Sequence, residues 1–231
     1  MKYIVKDSAP EELIEYSKTQ GACYQDLYDN HWDIYRLTKE SLVREQGYIC
    51  CYCGQRIEAS IAQIEHLFPK ATKAYKIMQL DYDSNLIASC DGGKKERERD
   101  LSIPPEHLHC DTQKSNDPIP VNPLDIKCEK KFIYTDDGEV FGCGKDAEAT
   151  IEILNLSSPI LNNLRKAAIY AYAFFPPESW SAEYKRLSRK NDAGEYEPFC
   201  FVLQQYIERN YGDQLISENK EKSEEKVETM V

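Results

Sequence analysis

Cys50 and Cys53 are separated by two residues in Gly47-Tyr48-Ile49-Cys50-Cys51-Tyr52-Cys53-Gly54. With a glycine to turn the chain, that spacing wraps two thiolates around one tetrahedral Zn²⁺. Cys90 and Cys110 are the natural second pair, and a polar, basic insertion over residues 91–109 separates them, so the ends of that loop must meet again at the metal. Cys51 stands at the wrong spacing from Cys53 and is assigned to packing behind the site. With all four positions filled by cysteine, such a zinc site is closed and structural, and it supports the folding of a small core. Buried free thiols are the plainer alternative. Nine cysteines, and a Met1-Lys2-Tyr3-Ile4 opening with no apolar signal segment, argue for a reducing cytoplasm rather than a disulfide framework.

Between the two cysteine pairs, Ile64-Glu65-His66 and the following Leu67-Phe68-Pro69-Lys70 alternate apolar and polar residues. The pattern reads as a strand ending in a loop, with His66 at an exposed strand end beside a carboxylate. A neutral imidazole there takes a proton from water near neutral pH, and the carboxylate holds a hard divalent ion through oxygen. Asn85 precedes Cys90 and Asp111 follows Cys110, so both are held near the same place.

The strings Cys-x-x-Cys, Glu-His-x-x-Pro, Asn-Leu-x-x-x-Cys and Cys-Asp-x-x-Lys-x-Asn resemble the HNH endonuclease motif of the ββα-metal fold with its supporting zinc knuckles. Further segments, Pro118-Ile119-Pro120-Val121-Asn122-Pro123-Leu124-Asp125, Phe132-Ile133-Tyr134, Asp136-Asp137-Gly138 and residues 149–156, resemble the HNH subunit of Septu-type and retron-associated antiphage systems. The likeness spans about residues 1–175. It implies an α+β fold: a zinc-supported ββα-metal (HNH) core with mainly helical N- and C-terminal extensions. It also implies His66 as general base, Glu65 as a metal ligand where many HNH enzymes have Asp, and Asn85 as the residue that fixes the loop bearing the base. Asp111 becomes the second ligand of a catalytic Mg²⁺ or Mn²⁺. In the commonest pattern His or Asn follows the last cysteine, so His109 and Asn116 are alternates for that letter, and His109 is an alternate zinc ligand as well. The implied activity is one-metal hydrolysis of DNA phosphodiester bonds by the effector subunit of a complex with a partner ATPase. Cleavage of host tRNA by the same fold, and an inactive zinc-stabilised adaptor, are the alternatives.

The elements that must position these residues follow from local pattern. The 231 residues divide into an N-terminal helical extension (1–46), the core with zinc site and hairpin (47–146), a C-terminal helical region (147–212) and an acidic flexible tail (213–231). A short strand at Tyr3-Ile4-Val5, a helix capped by Ser8 with Pro10 in its first turn, and a second helix over residues 37–46 lead into the knuckle. Residues 130–134 and 139–141 bracket Asp137-Gly138, a hairpin signal flanked by Cys128 and Cys143. Helices are expected over 147–154, then from Ser158-Pro159 through Leu161, Leu164, Ala168, Tyr172 and Phe175, then over 180–189 and 198–211, the last with Phe199, Val202, Leu203, Tyr206 and Ile207 on one stripe.

Net charge limits what the chain binds alone. At −11, with a pI near 5.0, it repels a phosphate backbone overall, so nucleic acid must be drawn by a local patch or by another subunit. The local candidates are Lys70, Lys73 and Lys76, then Lys94, Lys95, Arg97 and Arg99, diluted by Glu96 and Glu98, and Lys114. No apolar run approaches membrane-spanning length.

Overall fold

The computed structural model describes residues 1–70, 73–174 and 176–228, with 73–75 and 218–228 described by backbone alone. Among these residues helices dominate and two antiparallel hairpins supply the sheet structure, an α+β composition as expected.

The central hairpin pairs β1 (Gln63–His66) with β2 (Leu86–Ser89), setting Glu65 opposite Ile87 and His66 opposite Leu86. All of β2 and most of β1 is buried, so the hairpin lies inside the core rather than on its surface. Helix α3 (Trp32–Glu45) packs across both strands. Its inward face carries Tyr35 and Leu42 but also Thr38, Ser41 and Glu45. The Tyr82 hydroxyl bonds Ser41 at 3.0 Å and Glu45 at 2.9 Å, and the Lys6 ammonium pairs with Glu45. The Gln46 amide closes both backbone groups of Ala88 at 2.7 Å and docks the helix end onto β2. The helix begins at Trp32, earlier than the expected Leu37.

Two N-terminal expectations change. Tyr3–Val5 is not a strand; single backbone bonds, Lys2 N–H to Cys51 O at 3.2 Å and Ile4 N–H to Pro123 O at 3.0 Å, staple the N-terminus to the knuckle and to the segment at Pro123. Helix α1 (Glu11–Ser17) has Pro10 as its N-cap, with no cap from Ser8. Helix α2 (Tyr24–Asn30) was not expected, because its N-cap acceptor is the Cys23 thiol, taking the Asp26 N–H at 3.4 Å, where sequence reading looks for an oxygen.

The insertion between Cys90 and Cys110 carries α4 (Lys94–Arg99) and a 3₁₀ turn (Pro105–His107) before α5 (Cys110–Lys114). Its ends are pinched together where the His109 N–H donates to Gly92 O at 3.1 Å. Gly92 has φ +65°, and a Cβ there would stand 1.8 Å from His109 O, so only glycine fits.

Beyond the site, β3 (Phe132–Tyr134) and β4 (Val140–Gly142) form the expected hairpin. Both flanking thiols are free, Cys128 buried and Cys143 exposed. Helices α6 (Lys145–Leu154), α7 (Pro159–Phe174), α8 (Trp180–Leu187) and α9 (Cys200–Glu228, broken at Tyr211) follow. The stripe from Phe199 to Ile207 is core: it is buried, and the Phe199 N–H donates to Gly54 O at 2.9 Å, seating α9 on the knuckle. Phe175 lies outside the described residues; of segment 213–231 the backbone is helical to Glu228, and 229–231 lie outside.

Gly92→Ala is predicted to destabilise the chain well beyond Gly93→Ala. Gly93 also has positive φ but open space around it, so its substitution carries only the left-handed backbone cost of about 1–2 kcal/mol. Urea unfolding of the two variants checks this, and equal losses would show that the pinch does not constrain the loop.

Candidate functional site

The knuckle is a tight turn closed by Gly54 N–H to Cys50 O at 3.0 Å and Cys50 N–H to Gln55 O at 2.8 Å. It brings Cys50 and Cys53 to Cys90, just past β2, and to Cys110, the first residue of α5. All four thiols are buried, and their sulfurs lie within 4.8 Å of one another. The Cys50–Cys110 and Cys53–Cys90 separations are 4.0 and 3.8 Å. Zn–S bonds of about 2.3 Å in a tetrahedron place sulfurs roughly 3.8 Å apart, so the donors fit a structural zinc. Cys51 is buried outside this group. His109 is buried with Nδ1 3.2 Å from the Cys110 sulfur and 3.8 Å from that of Cys90, so it backs a set that is already four-fold. Asn116 is exposed past the end of α5.

His66 ends β1, but not in solvent: it is 6 % exposed. Its Nε2 lies 3.0 Å from Gln79 O. A carbonyl only accepts, so Nε2 carries the proton and Nδ1 keeps the lone pair. The Tyr24 ring meets the imidazole edge-on at 4.5 Å, and the Tyr24 N–H donates to the Gln79 side chain at 3.0 Å. Burial, chiefly, lowers the His66 pKa to about 4. The ring is therefore neutral at physiological pH. Asn85 does not touch it. The Asn85 amide accepts the Phe68 N–H at 2.6 Å and donates to Met78 O at 2.9 Å, tying both ends of the intervening loop and so placing Gln79 against His66.

Glu65 is buried and shares its surroundings with Asp111, which is half-buried in the first turn of α5. Burial first, then contact with the Asp111 carboxyl, pushes the Glu65 pKa well above the carboxylate range, against the pull of Lys114. Lys114 is not the surface phosphate contact expected from the sequence. It is buried, with its ammonium 2.7 Å from Glu65 and donating to His66 O at 2.9 Å. A crowded carboxylate pair, one member reaching solvent, is a donor set that a hard divalent cation relieves.

Asp111 also lines a cleft of about 530 Å³ together with Gln63, Asp91, Lys94, Lys95 and Arg97. Three of the expected phosphate contacts thus share this cleft with Asp111. Arg99 is exposed outside the cleft lining, Lys76 is exposed, and the Lys73 side chain lies outside the described residues. Sequence reading missed Gln79, Tyr24 and the inward turn of Lys114. Lys114 alone carried a signal, standing one helical turn beyond Asp111.

No protein-family profile matches the chain. It is similar to a protein of Vibrio cholerae serotype O1 biovar El Tor named "Retron Vc95 putative HNH endonuclease". The two are 23% identical over 173 residues, covering 71% of this chain and 80% of the relative. The likeness supports a nuclease role. No helix among the described residues is long and apolar enough to cross a membrane.

Two outcomes follow from this geometry. Chain purified without chelator is expected to hold one zinc, and Cys53→Ser or Cys90→Ser to lose it along with the cooperative melting transition, since structural zinc binding couples to folding by roughly 10–16 kcal/mol in small peptides. Elemental analysis that finds no zinc in the parent would reject the four-thiolate site. His66 is expected to titrate near pH 4 in NMR spectra recorded without added divalent ion, against an ordinary value of 6.5. Because the folded pKa is lowered, folding weakens as pH falls from about 6.5 to about 4, where only the unfolded chain takes up the proton. A midpoint at or above about 6 contradicts the buried, neutral ring.

Proposed function

We propose that the chain is a metal-dependent HNH endonuclease, with β1, β2 and α5 as its ββα-metal core, that hydrolyses phosphodiester bonds in DNA as the effector of a defence complex with a partner ATPase. The observation that carries this reading is the buried, neutral His66 with Nε2 pinned and Nδ1 available, beside the Glu65 and Asp111 carboxyls. His66 Nδ1 takes a proton from water, the water oxygen attacks phosphorus, and the bond from phosphorus to the 3′ oxygen breaks. Glu65 and Asp111 would hold Mg²⁺ or Mn²⁺, which when bound supplies charge stabilisation for the phosphate and the leaving oxygen. Gln79 and Asn85 hold the base in place, and Lys114 counters the charge of Glu65. Lys94, Lys95 and Arg97 meet the backbone from the cleft wall.

The defence setting rests on the sequence resemblance and on the retron relative. An acidic chain must draw nucleic acid through a local patch or through another subunit. With the α9 stripe internal, α7 is one element that offers apolar surface to an ATPase subunit, through the exposed Leu164, Tyr170 and Phe174.

His66→Ala is predicted to lower Mg²⁺- or Mn²⁺-dependent cleavage by about 10²–10⁴ while leaving the fold and zinc content intact. The assay uses plasmid DNA and total tRNA, with the chain alone and co-expressed with its genomic neighbour. Parent-rate cleavage by the variant removes His66 from the reaction. Cleavage of tRNA with plasmid untouched transfers the activity to RNA.

A further inference from the structure

Helices α2 and α3 bring a run of aromatic rings up to the site. Trp32 stacks on Tyr35 with centroids 5.1 Å apart and planes 24° apart. Tyr28 meets Trp32 and Tyr35 edge-on at 5.9 and 5.1 Å. Tyr35 meets Tyr24 at 6.1 Å, and Tyr24 meets His66 at 4.5 Å. The run begins in solvent, with Trp32 52% and Tyr28 48% exposed, and ends buried at the imidazole. Core packing accounts for its inner half. It does not account for an indole and a phenol left half in water.

Cations are interleaved with these rings. Lys39 Nζ is 5.4 Å from the Tyr35 centroid and 6.0 Å from that of Trp32, and Lys70 Nζ stands 4.0 Å over Tyr24. The Lys39 pKa is lowered first by burial and then by the charge of Lys95, which brings the cleft wall close to the aromatic run. Most carboxylates of the two helices have partners of their own: Asp26 with Tyr16 and Asn30, Asp29 with Gln25, Glu40 with Arg36. Asp33 stays exposed. Asp26, Asp29 and Asp33 keep their negative charge, so the cations act at two points of the run, Lys39 beside Trp32 and Tyr35 and Lys70 over Tyr24, on a chain whose net charge is −11.

We infer that Trp32 and Tyr28 form a stacking platform for unpaired nucleobases, so that the substrate enters as a single-stranded stretch whose phosphates pass Lys39 and Lys95 towards His66. This rests on the nuclease reading for the identity of the site the strand enters. In a duplex the base faces are covered, and exposed rings gain contact only with bases that have left the stack. A protein partner is the other occupant such rings attract, but the centres of protein interfaces are depleted in lysine, and here lysines sit among the rings.

The test uses the full chain carrying His66→Ala and fluorescein-labelled twelve-residue dT and rU oligonucleotides, with a blunt duplex of equal length, followed by anisotropy. Single strands are expected to bind more tightly than the duplex and to quench the Trp32 emission. Trp32→Ala or Tyr28→Ala should weaken single-strand binding by roughly 5- to 150-fold, the range for loss of one base–aromatic stack, and Trp32→Phe should recover most of it. The oligonucleotide-induced quench keeps the test valid if a truncated variant unfolds. Single-strand binding indifferent to Trp32 and Tyr28, duplex bound as tightly as single strand, or no quench with any oligonucleotide would each overturn the platform. Acrylamide shielding of Trp32 by a protein partner, with no oligonucleotide effect, would overturn it too and give the face to that partner. Cleavage by the His66-intact chain is measured in parallel. Cutting that ignores the Trp32 variants leaves the nuclease reading standing without the platform; single-strand binding without cutting leaves the platform standing without the nuclease.

Discussion

Four sulfurs converging within 4.8 Å join segments that the sequence keeps far apart: the knuckle turn, the end of β2 and the start of α5. The catalytic candidates hang from these three segments. Asp111 and Lys114 follow Cys110 on a helix of five residues, too short to hold its direction by its own hydrogen bonds. Glu65 and His66 lie on the strand paired with β2, directly before Cys90. A zinc held by the four thiolates therefore sets α5 against β1, and with it the spacing of the two carboxylates. The backbone records the demand, since Cys110 takes φ +51°, a conformation that side chains other than glycine rarely adopt and that costs about 1–2 kcal/mol.

Charge inside the site is balanced by proximity rather than by solvent. A buried carboxylate beside a second one is costly unless a cation stands close. Lys114 supplies one, and by donating to His66 O it also ties the base-bearing strand to α5. The imidazole stays neutral because burial opposes its charged form, and its orientation comes from a backbone carbonyl rather than from an acidic partner. On β1, then, the His66 ring is oriented by Gln79 O while Glu65 is countered by Lys114.

What could be read from the sequence was whatever a few neighbouring residues determine. The knuckle spacing, the strand at β1, the Asp137-Gly138 hairpin and the apolar stripe of α9 are local signals, and each has its counterpart in the structure, whereas on α7 the buried face is Leu161, Arg165 and Ile169 and the expected Leu164 is exposed. What escaped is set by residues distant in sequence. The burial of His66 needs Tyr24 and Gln79, neither at any diagnostic spacing from it. Lys114 reads as a surface cation, as lysines nearly always are, until a buried Glu65 is placed beside it. The inward Ser41 and Glu45 of α3 are polar where an apolar face would be looked for, because Lys6 and Tyr82 satisfy them there.

The pinch between Gly92 and His109 separates two jobs that share one stretch of chain. Everything from residue 93 to 108 leaves and re-enters the molecule through a single closed neck, and the sulfurs lie on the core side of it. Length and composition beyond the neck can change without moving His66, Glu65, Asp111 or the thiolates, because loop closure grows only slowly more costly with length. That stretch also carries the cations of the cleft wall. The cations of that wall thus ride on a stretch of some sixteen residues set apart from the sulfurs.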